Sequence, residues 1–105
     1  MSSKRNFQVR QAADDDLLDI FVYGCEKFGI DTAEAYIYAL EAGFRRLTEH
    51  PKLGRSIDQT IAGIRALPVV SHVIYYQITD TAIDIIRILH KSMLPGRHLA
   101  EYTDQ

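Results

Sequence analysis

The chain of 105 residues is poor in cysteine and lacks tryptophan. Its single cysteine, Cys25, excludes an internal disulfide framework and a zinc site built from cysteines. The longest uninterrupted apolar runs are only a few residues, too short to cross a bilayer. The charged N-terminus is not followed by an apolar segment, so no signal peptide is visible. We therefore expect a cytoplasmic protein that has no membrane segment.

The sequence also has no large excess of either positive or negative charge. Twelve Lys and Arg stand against 14 Asp and Glu, which gives a formal net charge of −2. Because a small dedicated nucleic-acid binder is usually basic, this balance argues against direct DNA binding. A hydrophobic content of 47% excludes disorder as the bulk state. The length suits one compact domain over residues 1–105.

The apolar pattern predicts one strand, two helices and three further strands, in that order. Alternation predicts a strand over Asn6–Arg10, and helical spacing predicts helices over about Asp14–Phe28 and Asp31–His50, the second with Asp31 as N-cap. Further strands are predicted at Gly63–Leu67, His72–Thr79 and Ala82–His90. The order β-α-α-β-β-β predicts an α+β fold in which an antiparallel helical hairpin packs on a small antiparallel sheet.

The last two predicted strands are apolar on both faces. A two-residue turn between them sets a register in which Tyr76 faces Ile85 on one side and Tyr75 faces Ile86 on the other. One helical hairpin covers only one face. We therefore expect the other face to be covered by a partner chain, a second copy or the C-terminal tail. Residues 95–105 are predicted to be that loosely held tail.

A series of short motifs follows these elements along nearly the whole chain. The loop after the second helix reads HPKLGR from His50 to Arg55, and the next strands contain SHVIYY from Ser71 to Tyr76 and IIRILH from Ile85 to His90. In this order and spacing, the motifs resemble the ParE toxins of bacterial toxin–antitoxin modules, within the RelE/ParE fold family.

The resemblance implies the toxic component of a type II module. Such a toxin is held inactive by a ParD-like antitoxin in a hetero-oligomer, needs no cofactor, and inhibits DNA gyrase so that replication stops. RelE-type relatives share the fold but cut messenger RNA on the ribosome. That ribonuclease activity stays open as an alternative, as does a non-toxic interaction module of the same fold.

Residues for messenger RNA cleavage are incomplete in this sequence. The reaction needs a base, cations for the developing charge and an acid, and Arg65, Arg87 and His90 are the candidates. Lys91 and Ser92 follow where an aromatic side chain is expected for such an enzyme. We therefore predict no catalytic residues. The four histidines show no ligand spacing, which predicts no metal site.

Two groups of residues are predicted to contact partners. The antitoxin is expected to supply apolar anchors and acidic side chains to the sheet face or the hairpin groove. Its predicted contacts are Tyr38, Arg65, Ile74, Tyr76, Ile85 and Arg87. The cellular target is expected to contact the segment after the last strand, at Met93, Leu94 and Arg97.

Overall fold

A helical hairpin and a five-stranded sheet make up residues 6–99, the part of the chain that the computed structural model describes. The elements are β1 (Asn6–Val9), α1 (Gln11–Phe28), α2 (Ile30–Glu49), β2 (Arg55–Ser56), β3 (Arg65–Val69), β4 (His72–Ile78), β5 (Ala82–His90) and α3 (Pro95–His98). The predicted α+β class and element order are confirmed, and β2 and α3 are additions to that order. The predicted domain also includes residues 1–5 and 100–105, which lie outside the described residues.

The two long helices are joined through a single glycine. Gly29 has φ +92°, a conformation that side-chain-bearing residues rarely adopt, and its N–H donates to the carbonyl of Cys25 at the end of α1. The same residue begins α2, because its carbonyl accepts the N–H of Ala33. The prediction of Asp31 as N-cap is therefore wrong, since the helix already starts at Ile30.

The sheet has the strand order β1-β5-β4-β3-β2. Strands β3 to β5 pair antiparallel, as predicted, and the additional β2 also pairs antiparallel with β3. The prediction of a wholly antiparallel sheet is corrected at β1, which lies parallel to β5. A parallel pair requires a long connection, and here the helical hairpin and three strands intervene between β1 and β5. The two long helices, α1 and α2, both pack on one face of this mixed sheet.

A β-bulge in β5 changes the predicted register. Tyr76 lies opposite Ile85, as predicted, but Tyr75 lies opposite Arg87, so that Ile86 is the extra residue. Beyond the bulge every pair is therefore displaced by one residue from the two-residue-turn register. The displacement places His72 opposite His90.

Both faces of the sheet are covered by the chain itself. Between helices and sheet lies a core of buried apolar residues that includes Leu40, Phe44, Ile74, Tyr76 and Ile85. On the other face, the loop after β2 and the end of α3 bury the second cluster: Ile57, Ile61, Ile64, Ala66, Tyr75, Ile86, Leu89 and Leu99.

The expectation that a partner chain or a second copy covers this face is therefore corrected, whereas the C-terminal tail contributes as one of the expected covers. The main cover is the loop that contains three isoleucines, and Leu99 of the tail adds to it. Leu99 is fully buried and directly follows α3. The remaining tail residues, 100–105, lie outside the described residues.

The outer edge of β3 is only partly paired. Strand β2 covers Arg65 and Ala66, and the Ile64 carbonyl accepts the N–H of Ile57 at this edge. Because the backbone groups of a strand alternate in direction, the next residue whose N–H would point outward is Pro68, which has none. Pro68 is exposed.

Candidate functional site

An open groove of about 450 Å³ runs along the solvent side of the helical hairpin. On each helix, residues three and four positions apart share a face, and these repeats build the two walls. The groove is lined by Leu17, Leu18, Phe21, Ile37 and Tyr38, together with Asp14, Glu34 and Glu41. Its described lining therefore combines an apolar floor with acidic side chains and includes no basic residue.

Apolar side chains on this surface remain largely in solvent. Leu18 and Tyr38 are 62% and 63% exposed, and the exposure continues towards the hairpin tip at Val22 and Phe28. Contiguous exposed apolar surface of this kind marks sites of protein interaction. Tyr38, predicted to contact the antitoxin, lies in this groove and is exposed. The sequence analysis did not single out the groove residues Leu18 and Phe21.

Three of the predicted antitoxin contacts are interior residues. Ile74, Tyr76 and Ile85 have no exposed surface, because they lie between the helices and the sheet. Alternation of side chains along β4 and β5 directs all three towards the hairpin. Their assignment to a partner surface is therefore corrected.

Arg65 secures the loop that carries the HPKLGR motif. Its Nε donates to the carbonyl of Gly54 at 2.8 Å, and its Nη2 donates to the carbonyl of Lys52 at 3.3 Å. From the core side, the Tyr76 hydroxyl donates to the carbonyl of Pro51 at 2.7 Å and accepts the Gly54 N–H at 2.9 Å. Burial raises the pKa of Tyr76, so this hydroxyl stays protonated. Arg65 thus has a structural role in the loop.

Arg87 is engaged within the chain as well. Its Nε and Nη2 donate to the two carboxylate oxygens of Asp16 at 2.8 and 2.9 Å, and its Nη1 donates to the carbonyl of His98 at 3.1 Å. Asp16 also accepts the N–H of Ile88 at 2.9 Å. Contacts within the chain therefore account for the positions of both arginines, and neither offers a free guanidinium to the acidic residues that were expected on a partner.

A histidine pair connects α2 to the ends of β4 and β5. The Tyr36 hydroxyl accepts the N–H of Ser71 at 3.0 Å and lies 2.6 Å from His72 Nδ1. The rings of His72 and His90 meet edge to face, with centroids 5.4 Å apart. Burial and the neighbouring His90 lower the pKa of His72, while Asp16 opposes the shift. The neutral imidazole therefore prevails at neutral pH, with Nδ1 at hydrogen-bond distance from the Tyr36 hydroxyl.

A second depression, of about 730 Å³, lies on the sheet face opposite the helices. The loop after β2 forms one wall and the segment after β5 forms the other, with β3 and β4 as the floor. We call it the sheet cleft. Met93 and Leu94, predicted to contact the target, line it and are 43% and 62% exposed. Arg97, the third predicted contact, is exposed on α3.

Two of the three candidate ribonuclease residues come together, and the third lies apart. Arg87 and His90 line one depression of about 230 Å³ with His72 and His98, whereas Arg65 is not part of its lining. Arg65 lies on β3 and Arg87 on β5, so β4 separates them and both guanidinium groups face other partners. His90 meets His72 and places Nδ1 2.7 Å from the Ser92 hydroxyl. Among residues 6–99 there is also no group of three or more His, Cys, Asp or Glu arranged to hold a metal ion. None of the helices in this range has the length and apolar character of a membrane span.

Comparison of the sequence with known protein families identifies the class of protein. The sequence model of a family described as the ParE toxin of the type II toxin-antitoxin system, parDE, matches residues 7–95. The chain is therefore a toxin of the type II toxin–antitoxin class.

Similar individual proteins identify the family to which the chain belongs. The chain is 33% identical to Toxin ParE1 of Caulobacter vibrioides over 93 residues, which cover 89% of this chain and 96% of the relative. It is also 33% identical to Toxin ParE1 of Mycobacterium tuberculosis over 100 residues, which cover 94% of this chain and 100% of the relative. The chain belongs to the ParE toxin family, and the resemblance seen in its motifs is confirmed.

A solved structure supports the same fold. A chain of the chromosomal ParDE TA system from P. aeruginosa superposes with a TM-score of 0.74 at 18% sequence identity. The match covers 85% of this chain and 98% of that chain. At this identity the likeness establishes the fold.

Proposed function

We propose that a ParD-like antitoxin neutralises this ParE-family toxin by placing an amphipathic helix in the groove between α1 and α2. The main support for this proposal is the open apolar groove, in which Leu18 and Tyr38 are mostly exposed. A helix that binds such a groove anchors apolar side chains spaced three and four residues apart. The acidic residues Asp14, Glu34 and Glu41 favour basic flanks on that helix.

Free of the antitoxin, the toxin inhibits DNA gyrase in the cytoplasm and acts by binding, without catalysing a reaction. Membership of the ParE family supports this target. The internal engagement of Arg65 and Arg87 supports a binding mechanism, because a cleavage reaction needs cations directed at the phosphate. A net charge of −2 also gives no electrostatic attraction to the ribosome.

The antitoxin site is tested with Leu18→Arg, which places a cation where the proposal puts an apolar and basic helix. The probe is the protein encoded by the reading frame beside that of the toxin. We expect Leu18→Arg to stop growth as the unmodified toxin does, and its affinity for that protein to fall at least tenfold. Leu53→Arg is the matched control, because Leu53 is 46% exposed and lies outside the groove. Equal neutralisation of both variants would place the antitoxin elsewhere.

The target is tested by measuring two outputs with purified toxin. We expect DNA supercoiling by gyrase to fall while protein synthesis in a cell extract continues. Loss of translation with intact supercoiling overturns the gyrase proposal and turns attention to Arg65, Arg87 and His90.

A further inference from the structure

Two cationic side chains stand on opposite walls of the sheet cleft. Arg55 lies on β2, and Lys91 directly follows β5. Both are exposed, and neither forms an ion pair with an acidic residue within the described chain. Burial raises the pKa of Tyr75 on the cleft floor, and the charge of Arg55 opposes that rise. These two cations differ from Arg65 and Arg87, which the chain itself engages.

The cleft carries little negative charge of its own. Asp58 is the one acidic residue in its described lining, and the Asp58 Oδ1 accepts the N–H of Gly63 at 2.8 Å within its own loop. Met93 and Leu94, in the same segment as Lys91, expose apolar surface, and Val73 on the floor is half-buried. A ligand that complements this lining carries negative charge for both walls and an apolar group for the surface of Met93 and Leu94.

We propose that the sheet cleft binds a short extended acidic segment of a partner protein. One carboxylate of the segment pairs with Arg55, a second pairs with Lys91, and an apolar side chain between them packs on Met93 and Leu94. The two walls are separated by β3 and β4. An extended chain advances about 3.3 Å per residue against about 1.5 Å for a helix, so only the extended form crosses the cleft in a few residues.

A protein segment fits these observations better than a nucleic acid. Strong binding to a nucleic-acid backbone typically uses about six to ten phosphate contacts, whereas this cleft supplies two cations and an acidic residue. Single-stranded nucleic acids also need exposed aromatic rings for base stacking, and Tyr75 is only 5% exposed. The site is independent of the proposed antitoxin groove, which lies on the hairpin and has the opposite charge.

The test measures peptide binding to the purified full chain by fluorescence anisotropy. The labelled probe is Glu-Ala-Leu-Ala-Glu, which places both carboxylates and the leucine on one side when extended, and the comparison peptide replaces both Glu by Lys. We expect the acidic peptide alone to bind, with affinity that falls as salt is raised. In the double variant Arg55→Gln/Lys91→Gln, affinity falls at least tenfold.

The matched control is Arg45→Gln/Arg46→Gln, which removes two exposed cations from α2. Unfolding midpoints equal to that of the unmodified chain show that both double variants fold. The proposal is overturned if the two double variants bind alike, if the Lys peptide binds equally well, or if no binding is seen at millimolar peptide. Tighter binding of a labelled single-stranded RNA, lost with Arg55 and Lys91, assigns the cleft to nucleic acid instead. This experiment does not measure neutralisation of the toxin by the antitoxin. Its outcome therefore does not bear on the groove proposal, which the Leu18→Arg variant tests separately.

Discussion

Both carboxylate oxygens of Asp16 accept hydrogen bonds from the guanidinium of Arg87, and this ion pair lies beside β5 where β1 has ended. Strand β1 pairs with β5 only as far as Ile85, so on this side of β5 the N–H of Ile88 meets no strand, although β4 pairs with Ile88 on the other side. Asp16 accepts that N–H, and Arg87 fixes the position of the carboxylate. A side chain of α1 therefore takes the place of a missing strand residue and fastens the helix to the sheet.

The substitution Asp16→Asn is expected to destabilise the toxin. The amide keeps the volume of the carboxylate but loses the charge that holds Arg87, and the Arg87 side chain is only 23% exposed. Hydrogen bonds to charged groups are worth more than neutral ones, so we expect the free energy of unfolding to fall by about 2–3 kcal/mol. Guanidinium chloride denaturation measures the loss. Asp15→Asn is the control, because the exposed Asp15 bonds only to Gln11 on the same helix, and equal effects of the two variants would contradict the prediction.

The Tyr76 hydroxyl gives a second prediction. Tyr76→Phe removes the hydroxyl that donates to the Pro51 carbonyl and accepts the Gly54 N–H. Both backbone groups are then left without that partner in a region with little access to solvent. We expect a loss of about 1–3 kcal/mol in the free energy of unfolding. Tyr38→Phe, at a mostly exposed side chain, is expected to change it little. Urea denaturation of both variants decides, and a Tyr76→Phe protein as stable as Tyr38→Phe would show that the loop is held by other contacts.

The same loop has no room for a side chain at Gly54. A Cβ there would lie 2.7 Å from the Tyr76 ring and 2.8 Å from the carbonyl oxygen of Ala66, which belongs to the sheet backbone. Gly54→Ala is therefore expected to cost about 1–3 kcal/mol of stability, as overpacking typically does. At Gly96 the nearest atom is 4.0 Å away, so Gly96→Ala is the control and should lower the thermal midpoint far less. The reverse order of midpoints would contradict this geometry.

His72 predicts how stability changes in mild acid. Its pKa in the folded chain is lowered from the ordinary value of 6.5. As the pH falls below 6.5, the unfolded chain therefore takes up the proton first and unfolding becomes more favourable. Stability that is present above this pH is lost as the pH approaches the folded pKa.

The measurement compares denaturation midpoints at about pH 7.5 and about pH 5.5, on either side of the ordinary histidine pKa. We expect the decrease to be smaller in His72→Gln than in the unmodified chain. His50→Gln is the control, because His50 is exposed at the end of α2. A decrease of equal size in all three proteins would mean that His72 does not contribute to the pH dependence.

The helices and the β4–β5 hairpin could be predicted because local spacing determines them. Apolar residues three and four positions apart identified α1 and α2, and a two-residue turn fixed the start of the hairpin. The bulge at Ile86 could not be predicted, since apolar residues on both sides of β5 are compatible with either register. The cover of the second sheet face left one signal, the spacing of Ile57, Ile61 and Ile64 in an otherwise polar loop.

The site was harder to predict because a charged residue does not reveal its partner. Arg65 and Arg87 were chosen as partner contacts, yet they bind carbonyls and a carboxylate from other parts of the chain. Arg55 and Lys91 look no different in the sequence, and only the fold leaves them without an ion pair among residues 6–99. The exposure of Leu18 depends on how far apart the two helices sit, which no local pattern encodes.

Pro68 has a consequence for how the toxin behaves at high concentration. An unpaired strand edge is a template on which further copies of a chain can stack, and β3 exposes such an edge beyond the short β2. The missing N–H interrupts the ladder that a docking strand would need. We therefore expect this edge to resist the addition of a strand from another copy of the chain.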